Sequence, residues 1–323
     1  MRRRIWAAVV AITLLTGCTS QPPRSDRIGA TAEVPYPQNV QDPAAVPTTT
    51  AQPPQCDPRA SLRPRLPMPP PGQMPAGSPM DEIARRGRLV VGVDLNAYLF
   101  SYRDPTTGRL VGFDIDVARE IARAIFGSTE AVQFRSVTTA DRIKVLQDGS
   151  VDVVVRTFTS TCERAQQVAF STEYLSTGQR VLVNRGSGHR GIGDLGGKKV
   201  CAARGATSIP VIQQAASKPI AVAADTTLDC LVLLQQGQVA AVSTIDVLLV
   251  ALAAQDPGTE IVGDPLSDEP SSVGVAKNAP ELVRFVNGVL ERMRTDGTWR
   301  RMYEQWLSRL GPTPAPPLAR YLD

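Results

Sequence analysis

Between residues 80 and 311 the hydrophobic positions change their period repeatedly. Short, mainly apolar stretches at 88–93, 151–155, 179–183, 198–203 and 239–245, most of them containing β-branched side chains, predict strands buried on both faces. Helical spacing alternates with them. Residues 113–126 place apolar side chains on one face, with Asp114 and Asp116 in the first turn and Gly127 as a stop. Residues 140–146, 205–216 and 228–237 give further helices, the second with Ser208 as N-cap and Pro210 in its first turn; 132–134 is a short strand. Residues 280–311 read as two amphipathic helices split at Asp296-Gly297. Strand alternating with helix sets the class as α/β.

The alternation runs through two sets. Extended connections at 173–179 and 268–273 separate a second lobe, 179–268, from a first lobe made of 80–173 and 273–323, so the chain crosses between lobes twice. Before this body the pattern vanishes. Residues 18–79 hold 16 of the 27 prolines and a single aromatic, Tyr36, with no period of either kind, which predicts an extended tether. Residues 1–17 have Arg2, Arg3 and Arg4 ahead of an apolar run at 5–15, the build of a secretory signal peptide and too short to span a bilayer.

Charge excludes one class of partner. The formal net charge is +4, and three of the 35 basic residues sit in the first four positions, so the rest of the chain nearly balances its 31 acids. No basic stripe with interleaved aromatics marks a nucleic-acid surface. Exported cysteines are expected to oxidise: Cys56, Cys162, Cys201 and Cys230 imply two disulfides with three possible pairings. Cys201 with Cys230 is favoured, because they fall in an adjacent strand and helix, leaving Cys56 to staple the tether's end beside Cys162. No paired cysteine spacing suggests a metal, and the only histidine, His189, lies in a glycine-rich loop; no cofactor is expected.

Candidate chemistry gathers at residues 153–164, "VVVRTFTSTCER". A buried strand ends in Thr157, Thr159, Ser160 and Thr161, and Ser160 with Glu163 has the spacing of a capping box, which puts Arg164 inside a helix. Free backbone N–H groups, hydroxyls and a guanidinium then converge on one point, a site for a carboxylate or phosphate. An ordinary helix cap with a solvated arginine is the alternative.

Longer segments carry a resemblance. "LVVGVD" (89–94), "GRLVGFDIDVAREIA" (108–122), "LQDGSVDVVV" (146–155), "CERAQQVAFSTEYLSTG" (162–178), "DLGGKKV" (194–200), "RGATS" (204–208) and "DGTWRRMYEQW" (296–306) together resemble the family 3 extracellular solute-binding proteins of polar amino-acid ABC importers. That resemblance implies a type II periplasmic-binding-protein fold, two α/β lobes on a two-stranded hinge that close on a free amino acid. It implies that Arg164, Thr159 and Thr157 hold the ligand α-carboxylate, that Thr207 reaches it from the second lobe, and that Asp246 meets the α-ammonium, although Asp246 also reads as a helix N-cap. Thr139 and Arg142 fall where the glutamate/aspartate-binding branch contacts a side-chain carboxylate, with Arg156 as a second cation, and Tyr98 is placed to cover the ligand. Glutamate or aspartate is the expected ligand, with glutamine and asparagine weaker. Residues 15–18, "LTGC", resemble a bacterial lipobox, which implies a lipid on Cys18 and anchoring at the extracytoplasmic face of the cell membrane. The implied partners are an ABC permease with its ATPase, and the implied state is a monomer. A sensor that signals to a membrane partner is the alternative reading; an enzyme is not expected, since no Ser-His or Cys-His pair is visible.

Overall fold

Residues 34–45 and 54–323 are described in the computed structural model, and the signal segment and Cys18 lie outside them. In the first lobe, β1 (Ala60–Ser61) is followed by α1 (Pro79–Arg86), capped by the Ser78 hydroxyl, and by β2 (Leu89–Val93). Three short strands, β3 (Asn96–Ala97), β4 (Ser101–Arg103) and β5 (Leu110–Val111), form an antiparallel flap before α2 (Phe113–Phe126). Then come β6 (Val132–Ser136), α3 (Arg142–Gln147), β7 (Val153–Thr159), α4 (Cys162–Ala165) and β8 (Val168–Leu175). The second lobe holds β9 (Gly178–Asn184), β10 (Lys199–Ala203), α5 (Ser208–Gln214), β11 (Ile220–Ala224), α6 (Thr227–Gln235), β12 (Ala241–Ile245), α7 (Asp246–Gln255) and β13 (Thr259–Asp268). The chain returns through β14 (Ser271–Ala276), α8 (Pro280–Thr295), α9 (Thr298–Leu307) and β15 (Arg320–Tyr321).

Two five-stranded sheets result, ordered β6-β2-β7-β14-β8 and β11-β10-β12-β9-β13. Every apolar run noted above lies in one of them. In each, parallel strands sit at one side and the antiparallel strands that carry the crossings sit at the other: β8 leads into β9 through residues 176–177, and β13 into β14 through 269–270. Helices α2, α8 and α9 cover the first sheet around Phe113, Tyr174 and Trp299, and the second sheet has apolar layers on both faces. Asn287, fully buried in α8, joins β8 to the N-terminal segment by accepting from the Thr172 N–H (2.8 Å) and donating to Ser61 Oγ (2.8 Å) and the Leu62 carbonyl (2.7 Å). Disulfides join Cys56 to Cys162 and Cys201 to Cys230.

Four expectations are corrected. Strand β7 does not stop at residue 155 but runs on to Thr159, because β14 pairs with it as far as Ser271 opposite Thr159. The cap of α4 is Thr161, whose hydroxyl accepts from the Arg164 N–H, while Ser160 is buried against Pro270 and Ser272; likewise α5 begins after Thr207 and not after a Ser208 cap. The described part of the expected tether is laid along the body. Gln41 and Ala44 hydrogen-bond Ala223 and Ala221 of the edge strand β11, Asp42 pairs with Lys199, and Arg59 pairs with both Glu173 and Asp268. Proline keeps such a segment from pairing with itself, and the unpaired groups of a sheet edge accept it instead.

Candidate functional site

The two lobes face each other across a cleft with about 760 Å³ of space between its walls, open mouth included. Its floor is the end of β7. Arg156 is buried there, donating from Nη1 to Thr139 Oγ1 (2.6 Å) and from Nη2 to Asp94 Oδ2 (2.5 Å) at the end of β2, while its Nε finds no acceptor among the described residues. Thr157 follows with φ of +39°, a left-handed backbone that a β-branched residue adopts only when its surroundings impose it. The cause is visible: its N–H donates to Asp114 Oδ2 (3.0 Å) and reaches the Tyr174 hydroxyl oxygen (3.1 Å), and that hydroxyl donates to Asp114 Oδ1 (2.8 Å). Burial pushes the Asp114 carboxyl up to about 7, against the opposing pull of the Tyr174 and Thr157 hydrogen bonds.

Two more guanidiniums stand beside Arg156. Arg142, at the start of α3, is 4% exposed, lies with its guanidinium carbon 4.2 Å from the Phe158 ring centroid, and donates from Nε to the Thr139 carbonyl (2.9 Å). Arg164 donates to the carbonyls of Thr159 (2.7 Å) and Gly205 (2.9 Å), which ties the first lobe to the second. Among the described residues neither forms an ion pair with a carboxylate. Burial, then the like charges of Arg164 and Arg156, hold the Arg142 pKa well below its ordinary value, and burial lowers Arg164 to about 10 with Glu269 acting the other way. A buried cation without an acid is costly, so this wall is built to receive an anion.

The second lobe brings Thr207, Ser208, Thr226, Thr227, Thr244 and the apolar Ile245 and Leu248 to the opposite wall. The two lobes approach closely at Gly205, whose φ is +77° and where an added Cβ would lie 2.8 Å from Ala140 Cα of the first lobe. Tyr98, Thr139, Arg142, Arg156, Thr157, Thr159 and Thr207 all line the cleft. Arg164 is not among the lining residues but spans the lobes at Gly205. Asp246 is not among the lining residues. Ile245 takes the wall position, and the Asp246 carboxylate turns back to accept from the Val247 N–H (2.7 Å) at the start of α7. The Thr207 hydroxyl donates to Glu269 Oε2 (2.7 Å). Asp94, Asp114, Gly205 and Glu269 were not singled out as site residues, although Asp94 ends the first buried run and Asp114 opens the longest helix read from periodicity.

The arrangement holds no nucleophile set against a base, and no group of three His, Cys, Asp or Glu among the described residues could hold a metal ion. Two α/β lobes on paired crossings, with buried Arg142 and Arg156 and several hydroxyls lining the cleft between them, make a place suited to a small polar solute. The chain belongs to the bacterial extracellular solute-binding proteins, family 3, whose model it matches over residues 89–309. It is 34% identical to an ABC transporter glutamine-binding protein of Bacillus subtilis, over 68% of this chain and 81% of that one. Against a glutamate/aspartate import solute-binding protein of Salmonella typhimurium it is 30% identical, over 76% and 83%. Among solved structures it superposes on the cysteine-binding protein of Campylobacter jejuni with a TM-score of 0.69 and 25% identity, covering 72% of this chain and 95% of that one. These are binding proteins of the type II periplasmic fold and not enzymes, so the chain is an amino-acid solute-binding protein of the ABC-importer type.

Proposed function

We propose that this protein is a lipid-anchored extracytoplasmic receptor that closes its lobes on an acidic amino acid, L-glutamate or L-aspartate, binds the amides more weakly, and delivers the ligand to an ABC permease and its ATPase. The observation that carries the choice of ligand is Arg142, buried in the cleft wall with no carboxylate within ion-pair distance among the described residues. Its neighbour Arg156 is answered by Asp94, so the pair leaves an excess of positive charge where a side chain of the ligand would lie. A γ- or β-carboxylate restores neutrality there, and an amide only accepts a hydrogen bond. The α-carboxylate falls to the end of β7, with Thr157, Thr159 and Arg164, and Tyr98 forms part of the wall around it. The signal-like start and the "LTGC" segment at Cys18 support anchoring.

The test is isothermal titration of the full-length chain, stripped of bound amino acid by unfolding and refolding, against each common amino acid. Heat restricted to glutamate, aspartate and their amides, tighter for the acids, is the expected result. Preference for a cationic or apolar amino acid, or no heat from any, would sink the reading.

A further inference from the structure

Residues 36–45 precede the stretch that the family model covers, which begins at residue 89, and yet they are docked on the second lobe. The place of docking is β11, the edge strand of the second sheet, whose outer backbone groups have no neighbouring strand. Gln41 meets Ala223 there in both directions, N–H to carbonyl at 2.8 and 2.9 Å, and the Ala44 N–H donates to the Ala221 carbonyl (2.7 Å). Side chains hold the same pieces together. Ala44 is 5% exposed in the apolar layer of Val181 and Val200, Val40 packs on the opposite layer, and Asp42 pairs with Lys199 while accepting from the Tyr36 hydroxyl (2.6 Å).

One residue of the segment reaches the supports of the cleft. Arg204 follows β10 and Asp225 follows β11, and the stretches they open put side chains on the second-lobe wall, Thr207 and Ser208 after Arg204, Thr226 and Thr227 after Asp225. Arg204 donates to Asp225 Oδ1 (2.7 Å), so a single ion pair joins the two stretches. Alone that pair is a weak tie, because both side chains are about one-third exposed and solvent screens them. Asn39 completes it: its carbonyl accepts from Arg204 Nη2, and its Nδ2 donates to Asp225 Oδ2 (2.8 Å). With φ at +60°, Asn39 has the left-handed backbone that asparagine adopts more readily than most residues. Each member of the pair thereby gains a charge-assisted hydrogen bond from one residue.

We infer that residues 36–45 are a built-in positioning element for ligand capture, a strand docked behind the second-lobe wall whose Asn39 fixes the Arg204–Asp225 pair and with it the two stretches that face the ligand. Asn39 is not among the residues that line the cleft, so it acts through the wall. This role rests on the reading of the cleft as an amino-acid site and goes beyond it, since the element lies outside the residues that the family model covers. Undocking leaves the wall to be ordered at the moment of binding, which lowers affinity. The coupling is reciprocal: the factor by which docking strengthens ligand binding is the factor by which ligand strengthens docking.

The test uses the full-length chain and two variants. Gln41→Pro removes the N–H that donates to Ala223 and undocks the strand. Asn39→Gly keeps the left-handed backbone and the strand bonds and removes only the side chain on Asp225. Calorimetric titration of L-glutamate is expected to show Kd raised roughly three- to tenfold by Gln41→Pro and about two- to threefold by Asn39→Gly. Independently, hydrogen exchange at the Gln41 and Ala44 amides of wild type is expected to slow on saturation with glutamate, by about the factor that Gln41→Pro loses. An unchanged Kd in Gln41→Pro, or exchange at 41 and 44 that ignores the ligand, overturns the inference and leaves the segment a cover for the β11 edge, whatever the variants do to Tm. If wild type takes another amino acid in place of glutamate, the same comparison is made with that one and only the choice of ligand has failed; a wild type that binds none overturns both readings.

Discussion

Replacing Gly205 by alanine separates closure from folding. Two costs arise, and they act on different states. With φ at +77°, an alanine at this position carries the left-handed penalty of about 1–2 kcal/mol whether the lobes are open or closed, so it lowers stability without touching affinity. The new Cβ, 2.8 Å from Ala140 Cα, meets backbone that cannot swing away, and Ala140 belongs to the other lobe. That overlap exists only when the lobes are together. Forced overpacking of this kind costs about 1–3 kcal/mol, which enters the closed state alone and converts to a roughly 5- to 150-fold loss of ligand affinity. Displacement of the Gly205 carbonyl, which accepts from Arg164 and more distantly from Arg142, adds to the same side. The assay is calorimetric titration of glutamate into wild type and Gly205→Ala, beside thermal melts of both without ligand. A variant with a lowered Tm and unchanged Kd would refute the reasoning, because it would mean that ligand binding does not bring residues 205 and 140 together.

Three further outcomes follow from other parts of the molecule. Asp114, raised by burial from an ordinary 3.8 to about 7, binds its proton more tightly when folded, so its contribution is fully present below pH ~4 and is lost as pH rises through about 7; Asp114→Asn should remove ~3 kcal/mol of pH-dependent loss between pH 4.5 and 7.5, read from urea midpoints. A pH profile identical in variant and wild type would contradict it. Opening the Cys201–Cys230 disulfide as a double alanine variant releases a loop of 29 residues and should cost ~3.5 kcal/mol in denaturant unfolding, with glutamate affinity nearly unchanged because both residues lie in the core and away from the cleft wall. Asn287→Ala strands three buried partners and should cost about 2–4 kcal/mol, whereas a cost below half a unit would show that water replaces it there.

Much of the fold is legible because both-face burial leaves a clear mark: the stretches at 88–93 and 151–155 are strands because each packs several β-branched side chains into a few residues. Residues 34–45 and 54–79 are not legible in this way. Their prolines announce an extended chain, but an extended chain and a docked segment share one sequence pattern, and what decides between them is distant in sequence: the edge of β11 for Gln41 and Ala44, and β15, Glu173 and Asp268 for residues 59–61. The end of β7 was misjudged for a similar reason, since pairing with β14 from the far end of the chain carries the strand through threonines that locally favour a turn. In the site, cations were readable as types but their environments were not: only the packed structure sets Arg142 on Phe158 without an acid. Asp246 follows the last residue of β12 and opens α7, so strand end and helix start share one sequence pattern there. Glu269 gave no local signal at all, because its partner Thr207 is brought to it by the second lobe.

Selectivity between glutamate and glutamine, measured by calorimetry on wild type and on Arg142→Met, tests the central claim most directly. Methionine keeps the apolar contact with Phe158 and removes the cation. The account predicts that wild type binds glutamate more tightly than glutamine, that the variant loses on the order of 10- to 100-fold for glutamate and much less for glutamine, and that the ligand-free variant melts at a higher temperature because an unpaired buried charge is gone. A wild type that prefers glutamine, or a variant in which both ligands weaken alike, would contradict it.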